Sequence, residues 1–510
     1  MPSSNIKTIL ILVFSFLTFF VTAYPIIKSG SSATLYTIDP DVHYLSNSFS
    51  FIKSGQIQYN GHPGTPTIML YSYVLFPLRV YAKLITKIPF SLWVFQNTEL
   101  TYHYIRVFQS LLLSVSMGIF LLSISKMTRS MASIIFAWAA LFVYSTIPQM
   151  GSSIVPETTS FFIISVWFLI FSTSIKNISV STQSLLSIIS GVALANKFSN
   201  ITLVLSTFAL VLLIPKLNFK QQASKLFKSV FIVISTFVVC TWPIRATYSN
   251  MFRWVSVLAS TTGTHGGGKK AIFDAQSYLA SASSLIHNEI WPVSIMVITI
   301  LVLIILLTTH RVKIKNPLII ITFSALAGTI IFAKFPLNHY QLVNYLSLVF
   351  VASVVLTHLP SLLALSLPLL LLPAVFTNLT DYHLSISQAM NKTILFEKYI
   401  KDHPPQKGTL WEWGRTKDFS YLWSRDWASG LFDEELKKYR PNLFAITSDF
   451  KQIKVDNRNL KNVFDVCWDK LYIQQAIAPL FLKKYPNHQL KYISIPNTDN
   501  MAVIESNHCL

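Results

Sequence analysis

Two carboxylates one residue apart, Asp39-Pro40-Asp41, run directly into Val42-His43-Tyr44 and are the first groups in the chain with chemistry to offer. An acid here can act as a general base, taking the proton of an acceptor hydroxyl as its oxygen attacks a sugar carbon. The same Asp-Pro pair can instead start a turn or cap a helix from Asp41 onward. Asp-x-Asp also admits a divalent cation held against a diphosphate, but the proline stiffens the pair and the sequence identifies no third ligand. A metal is therefore not favoured, and no cofactor is expected. Gly61-His62-Pro63-Gly64 follows in the same loop. Glu157 stands alone as an acid at the start of an apolar run, where it either answers the helix dipole or serves a site at the membrane boundary. Lys197, wedged between two apolar runs, needs an anionic partner, either Glu157 or a phosphate, unless it snorkels to the headgroups. Arg245 closes another run. The segment Thr264-His265-Gly266-Gly267-Gly268-Lys269-Lys270 could wrap N–H groups and cations around a phosphate or simply be a flexible loop, and it lacks the spacing of a Walker loop. Asn338-His339-Tyr340 could bond to substrate or form part of an aromatic interface belt.

The elements that must position these groups are membrane spans. Of 510 residues, 52% are hydrophobic and 12% charged, whereas ordinary soluble chains carry roughly a quarter charged residues. The formal charge of +20 does not point to nucleic acid, because no basic stretch outside the short loops is interleaved with base-stacking aromatics. Apolar runs suited to crossing about 30 Å of hydrocarbon fall near 8–27, 105–124, 130–148, 156–174, 183–196, 199–215, 228–246, 291–308, 317–334, 338–357 and 360–377. That pattern predicts an α-helical polytopic membrane protein with about eleven transmembrane helices. The first run is too long for a signal-peptide core and no small-residue cleavage site follows, so it reads as a retained signal anchor.

With the N-terminus inside, the cytoplasmic segments carry eleven Lys and Arg residues and no Asp or Glu. The outer face then receives a first loop over 28–104, a second over 246–289 and a region over 378–510, and every candidate group named above lies on that face. In the first loop, Thr67 to Thr86 is interrupted by Pro77 and Arg79, which suggests a helix lying in the interface. Residues 378–510 gain charge and lose long apolar runs, as a soluble α/β domain would. Strands are expected at Leu443 to Ser448, Leu490 to Pro496 and Met501 to Glu505, and a helix at Ile473 to Lys484. Cys467 and Cys509 could pair in an oxidising compartment. Asn200, Asn378 and Asn391 open Asn-x-Ser/Thr sequons on the outer side.

These motifs, in this order and topology, resemble the GT-C superfamily of membrane glycosyltransferases, which includes protein O-mannosyltransferases and the aminoarabinose transferases of lipid A. The resemblance covers roughly residues 8 to 377. It rests on the acidic motif after the first span, His62-Pro63, Pro156-Glu157 opening a span, Gly191 through Lys197 closing one, and Asn338-His339-Tyr340. It implies a GT-C-type transmembrane domain over 1–377 with an outer α/β domain over 378–510. The implied activity is an inverting hexosyl or pentosyl transfer from a polyprenyl-phosphate sugar donor to a lipid, glycan or protein acceptor on the non-cytoplasmic face. It further implies Asp41 as the base with Asp39 as helper. Lys197, Arg245, His265 and Lys269 become candidates for the lipid phosphate, and His43, His62, Glu157, His339 and Tyr340 for other substrate contacts. Many family members have adjacent acids at the first motif, whereas Pro40 separates them here, which leaves open which carboxylate acts. The domain plan is similar to bacterial members, and a bacterial inner membrane is the expected location. The rival reading is a transporter or flippase, against which stands the clustering of polar groups in external loops and the lack of a visible inverted repeat.

Overall fold

In a computed structural model of the chain, the residues described are 4–29, 38–57, 64–128, 130–175, 178–212, 218–262, 269–271, 274–309, 317–332, 338–412, 437–439, 441–447, 449–454, 460–498 and 500–507. Helices dominate. Among the described residues, seven are long and apolar enough to cross a membrane: Asn5–Lys28, Thr98–Thr128, Pro156–Ser174, Phe219–Ser260, Ile290–Thr308, Asn338–His358 and Ser361–Asp402. Four shorter apolar helices, Met131–Phe142, Val180–Asn196, Phe198–Val211 and Pro317–Phe332, occupy the other predicted runs. The described residues do not confirm eleven full spans, in part because hydropathy sums apolar residues without asking whether the helix continues. The run over 130–148, for example, is helical only to Phe142 before a turn and the short helix Thr146–Met150. In the first loop, Thr65–Val74 and Phe76–Thr86 form a pair bent by 42° rather than one interfacial helix. The break falls just ahead of Pro77, whose ring cannot extend a preceding helix unbroken.

The chain forms two compact units. One comprises Met1–Tyr24, Asn60–Thr67 and Val107–Tyr382. Its core includes Phe120, Phe161, Phe168, Phe171 and Phe350, which pack mostly edge to face with ring centroids 4.4 to 6.3 Å apart. Lipid is as apolar as leucine, so helices in a membrane associate through close packing and polar bonds. Both occur here. Trp167 Nε1 donates to Thr207 Oγ1 at 3.0 Å, Ser190 and Thr207 hydroxyls share a bond of 2.7 Å, and Thr202 Oγ1 donates to Asn344 Oδ1 at 2.8 Å. Gly191 brings its helix against Phe219–Thr241 so closely that a Cβ there would meet Val233 O at 2.8 Å, and at Gly328 a Cβ would collide with Thr202 and Asn344. Large apolar side chains such as Phe231, Val239, Leu301, Ile305, Leu369 and Leu370 stay exposed, as a lipid-facing surface requires.

The other unit comprises Pro25–Tyr59, Ile68–Arg106 and His383–Leu510. Its helix Ile38–Ser54 is buried from Asp41 through Ser50. Its seven-stranded sheet contains β1 Thr409–Trp411, β2 Leu443–Ile446, β3 Gln452–Lys454, β4 Leu460–Asn462, β5 Lys470–Gln474, β6 Leu490–Ser494 and β7 Met501–Ser506. The strand order is β4-β3-β2-β1-β5-β7-β6, with β1 parallel to β2 and β5 and all other pairs antiparallel. Leu410, Trp468, Leu471, Phe481 and Ile504 fill its core. The helix expected from Ile473 begins only at Ala478, because Ile473 and Gln474 end β5, pairing with Ala502 and Met501, and Pro479 sits in the first turn where it is tolerated. Cys467 is disulfide-bonded, while Cys509 lies outside the described residues.

Candidate functional site

The break between Val180–Asn196 and the next helix turns Lys197 inward. Lys197 leaves the helix with φ −158°, an extended backbone, before a single 3-10 turn at Phe198–Asn200. Asn196 fixes that break from four sides. Its Nδ2 donates to Pro156 O and Ser160 Oγ, both at 2.9 Å, and its Oδ1 accepts from Thr67 N at 3.2 Å and Thr67 Oγ1 at 2.6 Å. Pro156–Ser174 opens with proline in its first turn, which sets the helix direction and leaves Glu157 beside its positive end. The result is a buried ion pair between Lys197 Nζ and Glu157 Oε1, with side-chain exposures of 6% and 8%. Tyr340 places its ring 4.7 Å from Lys197 Nζ, and the His339 ring lies 4.5 Å from that of Tyr340. Glu157 Oε2 is buried and has no hydrogen-bond partner among the described residues. The cluster therefore holds a desolvated cation, a carboxylate with acceptor capacity to spare and two ring faces. Such a set can receive a phosphate on one side and a hydroxyl on the other.

Asp41 belongs to the other unit and is wholly buried. Arg106 Nη2 donates to Asp41 Oδ2 at 2.8 Å, and both side chains have zero exposure. Sequence reasoning missed Arg106. The signal was available, since an arginine inside the apolar run 105–124 demands a partner, but averaging hydropathy over that run hides a single charge. The bond orients the Asp41 carboxylate.

The remaining candidates fall elsewhere. His43 is buried one helical position beyond Val42, and its carbonyl accepts from Asn47 Nδ2 at 2.9 Å. Asp39 lies in the first turn of Ile38–Ser54, its side chain outside the described residues, as are His62 and His265. Arg245 is exposed with its guanidinium 5.2 Å from the Trp242 ring, and at exposed Lys269 the backbone O accepts from Thr262 N and the backbone N donates to Thr262 Oγ1, both at 3.1 Å. Neither contact joins the Glu157 cluster. Two of the sequons are committed internally. Asn200 Nδ2 donates to Ser160 Oγ and Ala193 O, and Asn378 Nδ2 to Phe142 O and Val143 O.

The fold so defined is an integral, multi-pass membrane architecture. Two solved structures of ArnT from Cupriavidus metallidurans share it. The form bound to undecaprenyl phosphate aligns with a TM-score of 0.54 and 12% identity over 98% of this chain and 98% of that one. The apo form aligns with a TM-score of 0.54 and 11% identity over 99% and 98%. No family model matches the sequence, and no curated protein matches it.

Proposed function

We propose that this chain is a glycosyltransferase that moves a hexosyl or pentosyl group from a polyprenyl-phosphate donor to a hydroxyl acceptor on the non-cytoplasmic face, with inversion. The observation that carries the reading is the end-to-end likeness to a structure solved with undecaprenyl phosphate bound. In the proposed step the acceptor oxygen attacks the anomeric carbon, the bond from that carbon to the phosphate oxygen breaks, and polyprenyl phosphate leaves. The acceptor proton passes to the Asp41 carboxylate, held in orientation by Arg106. Lys197 stabilises the departing phosphate, its charge balanced at rest by Glu157. His339 and Tyr340 line the approach to it. Lys197 supplies the positive charge that a divalent cation would otherwise bring, so transfer is read as metal-independent. The disulfide at Cys467 and the Lys/Arg bias of the opposite loops support an outer, oxidising location for the C-terminal region, in a bacterial inner membrane.

The test follows radiolabelled sugar in the polyprenyl-phosphate pool of membranes carrying wild type, Asp41→Asn or Lys197→Met. Wild type should deplete the label, and both variants should insert normally and leave it in place. Retention of label by wild-type membranes would refute transfer and favour the transport reading.

A further inference from the structure

Glu289 sits where the outer helix Ala275–Asn288 meets the span Ile290–Thr308, and it is buried. One of its oxygens, Oε1, accepts from two directions, from Ser145 Oγ and from Asn338 Nδ2, the latter at 2.5 Å. Asn338 is the first residue of the short 3-10 turn Asn338–Gln341. The same asparagine is gripped at its carbonyl by the Tyr144 hydroxyl, and its amide also reaches Ser145 Oγ at 3.4 Å. At the other end of the turn, Gln341 Nε2 donates to Thr329 O at 3.4 Å and Gln341 Oε1 accepts from Asn344 Nδ2 at 2.7 Å. Between these two anchors lie Tyr340, whose ring meets Lys197, and His339, whose ring lies against that of Tyr340. A carboxylate buried in a membrane protein is costly to retain, and among the described residues the side chain of Glu289 is held by the neutral donors Ser145 and Asn338.

We propose that Glu289 is a positioning residue that braces the 338–341 turn and thereby holds Tyr340 and His339 against the Lys197–Glu157 pair. The inference rests on the glycosyltransferase reading for its consequence in phosphate binding, but the brace itself is independent of it. Two readouts on the full-length protein in detergent separate the two. The first is the rate of thiol labelling at His339→Cys in a Cys240→Ser background. Removing the acceptor by Glu289→Ala should raise that rate about tenfold, the scale of a coupling energy between contacting residues. Glu289→Gln keeps a carbonyl oxygen at the same place and should restore protection. Asn338→Ala removes the same bond from the other side, should loosen the turn equally, and should add nothing to Glu289→Ala. The second readout is the affinity for undecaprenyl phosphate. Glu289→Ala should weaken it about tenfold when Tyr340 is present and leave it unchanged in a Tyr340→Ala background, because a positioning effect vanishes with the group positioned. Unaltered labelling in both Glu289→Ala and Asn338→Ala would overturn the brace. Equal losses of affinity with and without Tyr340 would overturn the positioning role. A wild type that does not bind undecaprenyl phosphate, but whose turn loosens as described, would refute the functional reading and leave the brace standing.

Discussion

Arg106→Leu separates what the Asp41–Arg106 pair does for folding from what Asp41 does for transfer. Both side chains have zero exposure and meet at 2.8 Å, so removing the guanidinium takes a charged bond from a carboxylate in a low-dielectric interior. Breaking one partner of such a pair costs about 3–5 kcal/mol, because the surviving charge is uncompensated, whereas replacing both partners by apolar groups is often close to neutral. The Asp41→Leu/Arg106→Leu double variant should therefore recover most of the thermal stability that Arg106→Leu loses, measured by unfolding of the purified protein in detergent. Activity should behave oppositely. Arg106→Leu should lower donor turnover and the double variant should abolish it, since the proposed base is gone. If the double variant transferred sugar like wild type, Asp41 would be structural and the mechanism wrong. If Arg106→Leu were as stable as wild type, the Arg106 bond would not be what supports the buried Asp41 carboxylate.

Three further outcomes follow from the geometry. Glu157→Gln/Lys197→Met should fold, because the buried charges leave together, yet fail to bind undecaprenyl phosphate in a direct binding measurement. Burial lifts the Glu289 carboxyl to about 7, against hydrogen bonds from Ser145 and Asn338 that pull it down. Its folded pKa being the higher one, the stabilisation it gives is complete below the unfolded value of 4.5 and is lost as pH rises through about 7. Over that window wild type should lose on the order of 3 kcal/mol that Glu289→Gln does not, read from the difference between their thermal stabilities across pH. Chelation with EDTA should leave sugar transfer unchanged; a loss of activity restored by adding back a divalent cation would refute the role given to Lys197.

Much of the scaffold was legible because lipid imposes a simple code. Every apolar run predicted from the sequence overlaps a helix among the described residues, and the partner required by Lys197 is Glu157, one of the two anions the sequence offered for it. What was lost depends on where chain breaks fall and on distant pairing. Phe142 ends its helix inside an unbroken apolar run, so hydropathy overstates the span. Arg106 was concealed by its apolar neighbours, and its partner lies 65 residues earlier. Glu289 reads in sequence as the last acid of a loop; its meaning comes from Ser145 and Asn338, 144 and 49 residues away, which no local pattern connects. The sheet in the C-terminal region was partly visible: β2, β6 and β7 fall where strands were expected, β5 was missed although five residues long, and β1, β3 and β4, at three residues each, are too short for alternation to show.

The close approach at Gly328 sets a boundary for anyone reshaping this protein's specificity. Asn344, against which any side chain at 328 would press, also holds Gln341, the closing residue of the turn that carries His339 and Tyr340. A library that randomised the 317–332 helix would thus alter the site without touching it, and most such clones would be discarded as inactive for reasons unrelated to the substrate. Keeping residues 191 and 328 as glycine confines variation to positions whose effects can be read as changes in recognition.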